Sequence, residues 1–364
     1  MIKYPFCSSP SVRAYVQPNG LYRNCCATTP ALVSQTQDFR VWWDEELHPF
    51  RQELQQQRFP ASCAGCEQQE QAGDSYRLAL NRANPEINAA HPREWSINFG
   101  NVCNLACWTC DEEYSSTIEA HKRKINILPE SYQNQNSNFE QAWPALRENI
   151  IASYEYHDDV TISILGGEPT YNPLVIEFLA WLAANGYAPS TKLEITTNGT
   201  RTNNHFNTVL ESPWRYVYIA VSTDAVGTHA EWLRYGCRWA DVAENIRHYR
   251  DRADYVELHC TLSVLNLEAL PDLHDFAKTV NTQLVIMPLQ NPSHMSLAAW
   301  DGEQFVLDAS AFEQRGLEPY LDMLGQHAIK GSRERLVSYL DLLGKNRPSQ
   351  LKTVAGILLN TQAP

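Results

Sequence analysis

From residue 94 onward, short apolar or alternating runs take turns with longer stretches of helical period. WSINFG (95–100), VTISILGG (160–167), KLEITTNG (192–199), YVYIAVSTD (216–224), YVELHCTLSV (255–264) and QLVIMPL (283–289) each read as a strand. PLVIEFLAWLAAN (173–185) and WADVAENIRHYRDR (239–252) read as helices between them. Six strands alternating with helices predict an α/β fold whose parallel sheet curls into a barrel or partial barrel. Ligand sites in such sheets lie at the C-terminal ends of the strands. The first ninety residues are turn-rich. There VRAYVQPNGLYRNCC (12–26) predicts a hairpin about Pro18-Asn19-Gly20, and residues 44–57 and 67–84 carry helical composition. Pro85 and NAAHPRE (88–94) mark a boundary near residue 93. Beyond about residue 296, EPYLDMLGQHA and ERLVSYLDLLGK predict a helical tail. The expected organisation is therefore 1–93, 94–295 and 296–364, without internal repeats or low-complexity tracts.

Composition narrows the class. Of 364 residues, 43% are hydrophobic and 20% charged, as in ordinary globular proteins. No apolar run of about 18 residues suggests a membrane span, and MIKYPFCSSP lacks the apolar core of a signal peptide. A cytoplasmic protein without a membrane partner is expected. The formal charge of -13 argues against double-stranded nucleic acid as a partner, since that needs a basic footprint.

Cysteine usage changes the picture most. Eight of ten cysteines fall within the first 110 residues, and in a reducing compartment such clustering favours metal or iron–sulfur ligation over disulfides. Cys237 and Cys260 stand apart and read as small buried hydrophobes. In VCNLACWTC (102–110), Cys103, Cys107 and Cys110 form a C-x3-C-x2-C loop directly after the first barrel strand. Three thiolates can hold three irons of a cubane [4Fe–4S] cluster and leave the fourth open to a small molecule. Zinc would want a fourth ligand, and neither Asp111 nor His121 supplies a familiar spacing.

The strand ends add polar groups. LGGEPTYNP places Gly166 and Gly167, which permit close backbone approach, before Glu168 and Pro169. TTNGT puts Thr196 and Asn198 on one face, and AVSTDAVG does the same for Ser222 and Asp224. Arg234 follows in WLRYGC. His259, Thr261 and Ser263 share a face of the fifth strand, where His259 reads as a proton carrier or a satisfied core histidine.

The cysteine loop, GGEP and these strand ends, in this order, resemble the radical S-adenosylmethionine (radical SAM) enzymes over about residues 94–295. The resemblance implies a partial (β/α)6 radical SAM barrel. It also implies a catalytic [4Fe–4S] cluster on Cys103, Cys107 and Cys110 whose open iron chelates SAM. Reductive cleavage of SAM to a 5′-deoxyadenosyl radical and hydrogen abstraction from substrate would follow. It assigns Gly166, Gly167, Glu168 and Pro169 to the SAM ammonium group. Thr196, Asn198, Ser222, Asp224, Arg234 and Ser263 are assigned to the rest of SAM, with Arg234 near its carboxylate and the sixth strand walling the adenine. One departure is Thr109, where the family usually has an aromatic or bulky apolar residue before the third cysteine; Trp108 stands one position earlier.

A second cysteine group precedes the barrel. Cys63 and Cys66 form a C-x-x-C pair, and the hairpin brings Cys7 near Cys25 and Cys26. Four thiolates fully ligate a [4Fe–4S] cluster, and a structural zinc site is the alternative. The Gly20-to-Cys25 spacing and PASCAGCEQQEQAGDSYRLALN (60–81) resemble the SPASM and twitch auxiliary-cluster modules, although those usually follow the barrel. That spacing makes Cys25 the ligand and Cys26 the spare. This resemblance implies modification of a ribosomally made peptide or protein, with a flavodoxin- or ferredoxin-type reductant. A radical SAM enzyme for a small molecule (sugar, nucleotide or amino acid) and a non-catalytic iron–sulfur or zinc module are the alternatives.

Overall fold

The computed structural model describes residues 6–28, 30–71, 73, 75–84, 90–128, 130, 132, 136–301 and 307–344. Of the residues that signal the expected boundary near residue 93, Pro85 and the first two of NAAHPRE lie in 85–89, outside the described residues. Residues 302–306 and 345–364 of the expected tail lie outside them too. The strands are β1 Arg13–Val16, β2 Tyr22–Arg23, β3 Glu94–Asn98, β4 Ala106–Cys107 and β5 Val160–Leu165. They continue with β6 Thr191–Thr197, β7 Tyr216–Ser222, β8 Arg234–Tyr235, β9 Tyr255–Leu262 and β10 Gln283–Pro288. All six strands expected from the apolar pattern are present, as β3, β5, β6, β7, β9 and β10.

The chain divides into two compact units. The first comprises 1–101, 131–195 and 205–218. Its sheet runs β2-β1-β3-β5-β6, and β7 begins beside β6, where Arg215 N–H donates to Thr191 O at 3.1 Å. β1, β3, β5 and β6 pair in parallel, with Ile97 opposite Ile164 and Ile164 opposite Ile195. Ile97, Ile162, Ile164, Leu193 and Ile195 are fully buried, each worth about 1.5–3 kcal/mol over exposure. The helix Pro173–Ala184 buries Val175, Phe178, Leu179 and Leu182. It starts where it does because Asn172 caps Leu174 N–H and Pro173 is pre-set for the first turn.

The expected hairpin forms, with Gly20 at φ +76° in its turn. It does more than the sequence suggested: β1 pairs in parallel with β3, Arg13 opposite Glu94 through Val16 opposite Ile97, and so adds two strands to the barrel sheet. The helical stretch expected at 44–57 begins instead with a π-turn, Val41–Glu46, in which Leu47 N–H reaches back to Trp42 O, and continues as His48–Gln55. Trp42 and Trp43 are both fully buried by this turn; Trp42 stacks on Tyr22 and Trp43 on Phe39. Residues 67–84 form two helices, Ala64–Gln71 and Tyr76–Ala83, the second capped by Ser75.

The second unit comprises 102–130, 196–204 and residues from 219 on. It holds the C-terminal ends of β6 and β7, then β9 and β10, and the separate two-stranded ribbon of β4 and β8. β9 and β10 are parallel; β10 ends the order and is half-exposed on both faces, as an edge strand must be. Helices Ser116–Lys124, Trp239–Arg250, Leu270–Thr279 and Ser332–Gly344 belong here. Trp239–Arg250 buries Val242, Ala243, Ile246 and Tyr249, one face of a helix. Among the described residues no helix is long and apolar enough to cross a membrane.

Candidate active site

The three-cysteine loop is gripped from behind by the start of the helix Ser116–Lys124. Ser115 Oγ caps Ile118 N–H at 3.2 Å and donates to Leu105 O at 2.6 Å. Thr117 Oγ1 donates to Cys103 O at 2.7 Å, and Ser116 Oγ accepts from Cys103 N–H at 3.2 Å. The positive end of a helix thus lies against the loop, a setting that favours thiolates. Cys103 Sγ accepts from Leu105 N–H at 3.5 Å and from Asn198 Nδ2 at 3.9 Å. Cys107 is buried, while Cys103 and Cys110 are half-buried. Burial, then the charges of Cys107, Asp111 and Cys103, push the Cys110 thiol above its ordinary range. Trp108 turns into the core against Trp232 and Tyr339, and Tyr339 OH donates to its carbonyl at 3.1 Å. Thr109 is half-buried.

A closed ring of short polar side chains holds the loop to the end of β6. Asn198 Nδ2 donates to Asn104 Oδ1 at 2.9 Å, Asn104 Nδ2 to Thr200 Oγ1 at 3.0 Å, and Thr200 Oγ1 to Asn198 Oδ1 at 2.7 Å. Asn198 is thereby engaged with the loop. Asn104 and Thr200 were missed by sequence reading, because a polar residue beside a cysteine or a turn glycine looks like ordinary turn chemistry. Thr196, the neighbour of Asn198 on its face, is half-buried.

At the end of β7, Ser222 is half-buried and Asp224 almost fully buried. Arg234 is buried together with its partner. Its Nη1 donates to Asp224 Oδ2 at 2.8 Å, with side chains only 13% and 4% exposed. Asp224 Oδ1 accepts from Thr261 N–H at 2.9 Å, and Asn266 Nδ2 donates to the Asp224 carbonyl at 2.9 Å. Burial opposes the Arg234 charge, but the Cys107 and Asp224 anions outweigh it and raise the guanidinium above its usual range. Ser263 was expected to face a ligand. It lies just past β9, wholly buried, with its hydroxyl donating to Asn266 Oδ1 and accepting from Leu265 N–H. His259 Nε2 lies 2.6 Å from Glu257 Oε1 on the half-exposed face of β9.

In the first unit, the GGEP turn packs on the end of β3. Gly166 and Gly167 both take positive φ, +79° and +53°. Glu168 is fully buried; its Oε1 accepts from Thr170 N–H at 3.1 Å and from Thr170 Oγ1 at 2.8 Å. Pro169 is buried beside it. Asn172, overlooked in the sequence, donates from Nδ2 to Phe99 O at 2.9 Å and so ties the loop after β3 to the helix that follows GGEP.

The amino-terminal cysteines meet as well. Cys7, Cys25, Cys63 and Cys66 line one cavity, walled by Phe6, Phe50, Leu54, Phe59 and Leu80. Burial pushes Cys7 up to about 12 and raises Cys63 and Cys66. Such thiols ionise readily only beside a metal or cation. Cys26 is not among the lining residues; it accepts from Tyr15 OH at 3.3 Å, and Tyr15 OH lies 2.6 Å from Tyr76 OH, with Tyr76 in the cavity wall. The Cys25–Cys26 contact, then hydrogen bonds from Tyr15 and Tyr76, lower the Cys26 thiol, while the same contact and burial push Cys25 up. Among the described residues no group of three or more His, Cys, Asp or Glu side chains stands arranged to hold a metal ion.

The second unit thus carries three cysteines on a pinned loop, with a buried arginine opposite one of them in the β4–β8 ribbon. The radical SAM superfamily model matches residues 97–277, and the chain carries a radical SAM domain. That superfamily uses a [4Fe–4S] cluster and SAM, and its mostly parallel α/β sheet is the one seen here. The donor set fits that cluster. Arg234 Nε, buried and without a hydrogen-bond partner among the described residues, marks where an anion belongs.

No curated protein matches the chain. Solved structures that match include SuiB of Streptococcus suis bound to S-adenosylmethionine, at 16% identity and TM-score 0.41, over 78% of this chain and 58% of that one. The anSMEcpe enzyme with bound AdoMet matches at 14% and 0.42, over 65% and 60%. Its complex with AdoMet and the Kp18Cys peptide matches at 15% and 0.42, over 69% and 66%. The chain thus spans about three fifths of the SuiB length.

Proposed function

We propose that this radical SAM enzyme binds its catalytic cluster through Cys103, Cys107 and Cys110 and modifies a ribosomally made peptide or protein. The observation that carries the cluster assignment is the pinned loop: Ser115, Ser116 and Thr117 on one side and Asn198 on the other fix the Cys103–Leu105 backbone and the Cys103 sulfur. Bound there, cluster and SAM supply one-electron sulfonium cleavage and a carbon radical that abstracts substrate hydrogen. In this reading Gly166 and Gly167 give SAM close access to backbone, and Glu168 and Pro169 shape that turn. Thr196 and Ser222, half-buried at their strand ends, line the SAM side.

The cavity of Cys7, Cys25, Cys63 and Cys66 is read as holding an auxiliary [4Fe–4S] cluster, for which four thiols are a full ligand set, with the Arg77 cation among its walls; a structural zinc is the alternative. Cys25 is the fourth ligand and Cys26 is not. Residues 1–93 then form the auxiliary-cluster segment, 94–295 the barrel and 296–364 the tail. The likeness of the first segment to twitch-type modules is what favours a peptide or protein substrate over a small molecule, and a flavodoxin or ferredoxin is the electron source. Electron paramagnetic resonance on anaerobically reconstituted, reduced protein tests the core of this. Added SAM should shift one cluster signal and leave a second unchanged, with 5′-deoxyadenosine formed on turnover. A reconstituted sample in which SAM shifts nothing would overturn the assignment.

A further inference from the structure

The family resemblance sends Arg234 to the SAM carboxylate and sets Asp224 against another part of SAM. The structure engages both differently. Arg234 Nη1 is bonded to Asp224 Oδ2 at 2.8 Å, and the other Asp224 oxygen is held by Thr261 N–H. β8 pairs antiparallel with β4, and the register sets Arg234 directly opposite Cys107. Trp108 N–H extends that ribbon by donating to Leu233 O at 3.0 Å. Gly236, at φ +104°, lets the chain leave so closely that a Cβ there would stand 3.1 Å from Asn104 O and 3.2 Å from Leu105 Cδ2. Arg234 Nε is buried without a partner among the described residues.

We propose that Arg234 is a positioning residue for the cluster on Cys103, Cys107 and Cys110. Its cation sits against the Cys107 corner and raises the cluster's reduction potential, with Asp224 as its anchor. This rests on the reading of those three cysteines as cluster ligands. Reduction adds one negative charge to the cluster, and a nearby cation shielded from water stabilises that charge. Arginine cannot shed its proton to escape the role. Asp224, an anion on the same relay, works in the opposite sense, so the two residues should move the potential in opposite directions.

The test is a redox titration of full-length, anaerobically reconstituted protein, followed by electron paramagnetic resonance on the signal that SAM perturbs. Arg234→Gln should lower the midpoint potential, Asp224→Asn should raise it, and Arg234→Lys should stay near wild type, all at wild-type iron content. Shifts of the same sign, or no shift in either neutralised variant, would overturn the inference, because a merely structural pair is broken equally from both sides. Weakened SAM binding in Arg234→Gln at an unchanged potential would also overturn it and return Arg234 to the SAM carboxylate. Should Arg234→Gln fail to hold a cluster, Arg234→Lys and Asp224→Asn decide alone: an unmoved or lowered potential in Asp224→Asn sinks the idea. If the wild type gives no SAM-perturbed signal, the cluster reading itself has failed and takes this inference with it.

Discussion

A Cβ on Gly166 would stand 1.7 Å from the side-chain oxygen of Asn98. Asn98 is the last residue of β3, and the same oxygen accepts from Gly100 N–H at 2.9 Å. Two neighbouring strand ends are thus fitted to each other through the missing side chain of one glycine. Gly166→Ala should destabilise the protein by at least about 1–2 kcal/mol from the positive φ alone, with the clash added. Urea unfolding measures this. Asn98→Ala in the same chain should relieve the side-chain clash but neither the φ cost nor the 2.8 Å approach to Gly100 O, so the double variant should regain only part of the loss, and a double variant as stable as wild type would contradict the geometry.

Replacing Cys103, Cys107 or Cys110 by Ala should each abolish SAM cleavage. Formation of 5′-deoxyadenosine is the readout, and cleavage surviving in all three variants would sink the catalytic assignment.

The cavity of four cysteines separates Cys25 from Cys26. Cys25→Ala should remove about four irons, the content of one cubane, whereas Cys26→Ala should keep them. Iron and sulfide analysis decides; zinc lost in place of iron would point to a structural metal site.

The Asn104–Asn198–Thr200 ring predicts a linked loss. Asn104→Ala leaves donors and acceptors of Asn198 and Thr200 unmet, costing roughly 1–3 kcal/mol. The cysteine loop should then lose its iron faster to a chelator. A chelation rate equal to wild type would show that the ring does not hold the loop.

His91 predicts a pH dependence. It is 3% exposed, bonded through Nδ1 to Ser153 Oγ at 3.0 Å and stacked on Tyr156. Burial, then the charges of Arg40 and His157, lower it from 6.5 to about 4. The unfolded chain therefore binds the proton more readily between those values. Stability is complete above about pH 6.5 and falls as pH drops towards 4, by roughly 2–3 kcal/mol. Urea melts over that window should show the slope in wild type, and His91→Gln should flatten it.

The strands were plain in the sequence because burial on alternate faces imposes a period of two, as Leu193 and Ile195 do within β6. The cysteine loop was plain because three thiols at close spacing have few other uses. What holds the loop was not plain. Ser115, Ser116 and Thr117 read as an ordinary helix start, and only the fold reveals that they also bind the Cys103 and Leu105 backbone. Arg234 and Asp224 were found, but their pairing was not: ten residues separate them, and only the β4–β8 ribbon sets the arginine opposite Cys107. Ser263 looked available because it continues the half-exposed face of β9, yet the strand ends at Leu262 and the following turn uses its hydroxyl.

The parallel pairing of β1 with β3 bears on whether the amino-terminal segment can be removed. A segment merely appended to a sheet can be removed without baring main-chain hydrogen-bonding groups. One that contributes a strand cannot, because its removal strips β3 of a hydrogen-bonded neighbour and leaves a raw sheet edge open to other chains. The segment that carries the amino-terminal cysteines is therefore joined to the sheet through its own backbone, and a chain lacking residues 1–23 would present that edge to solvent.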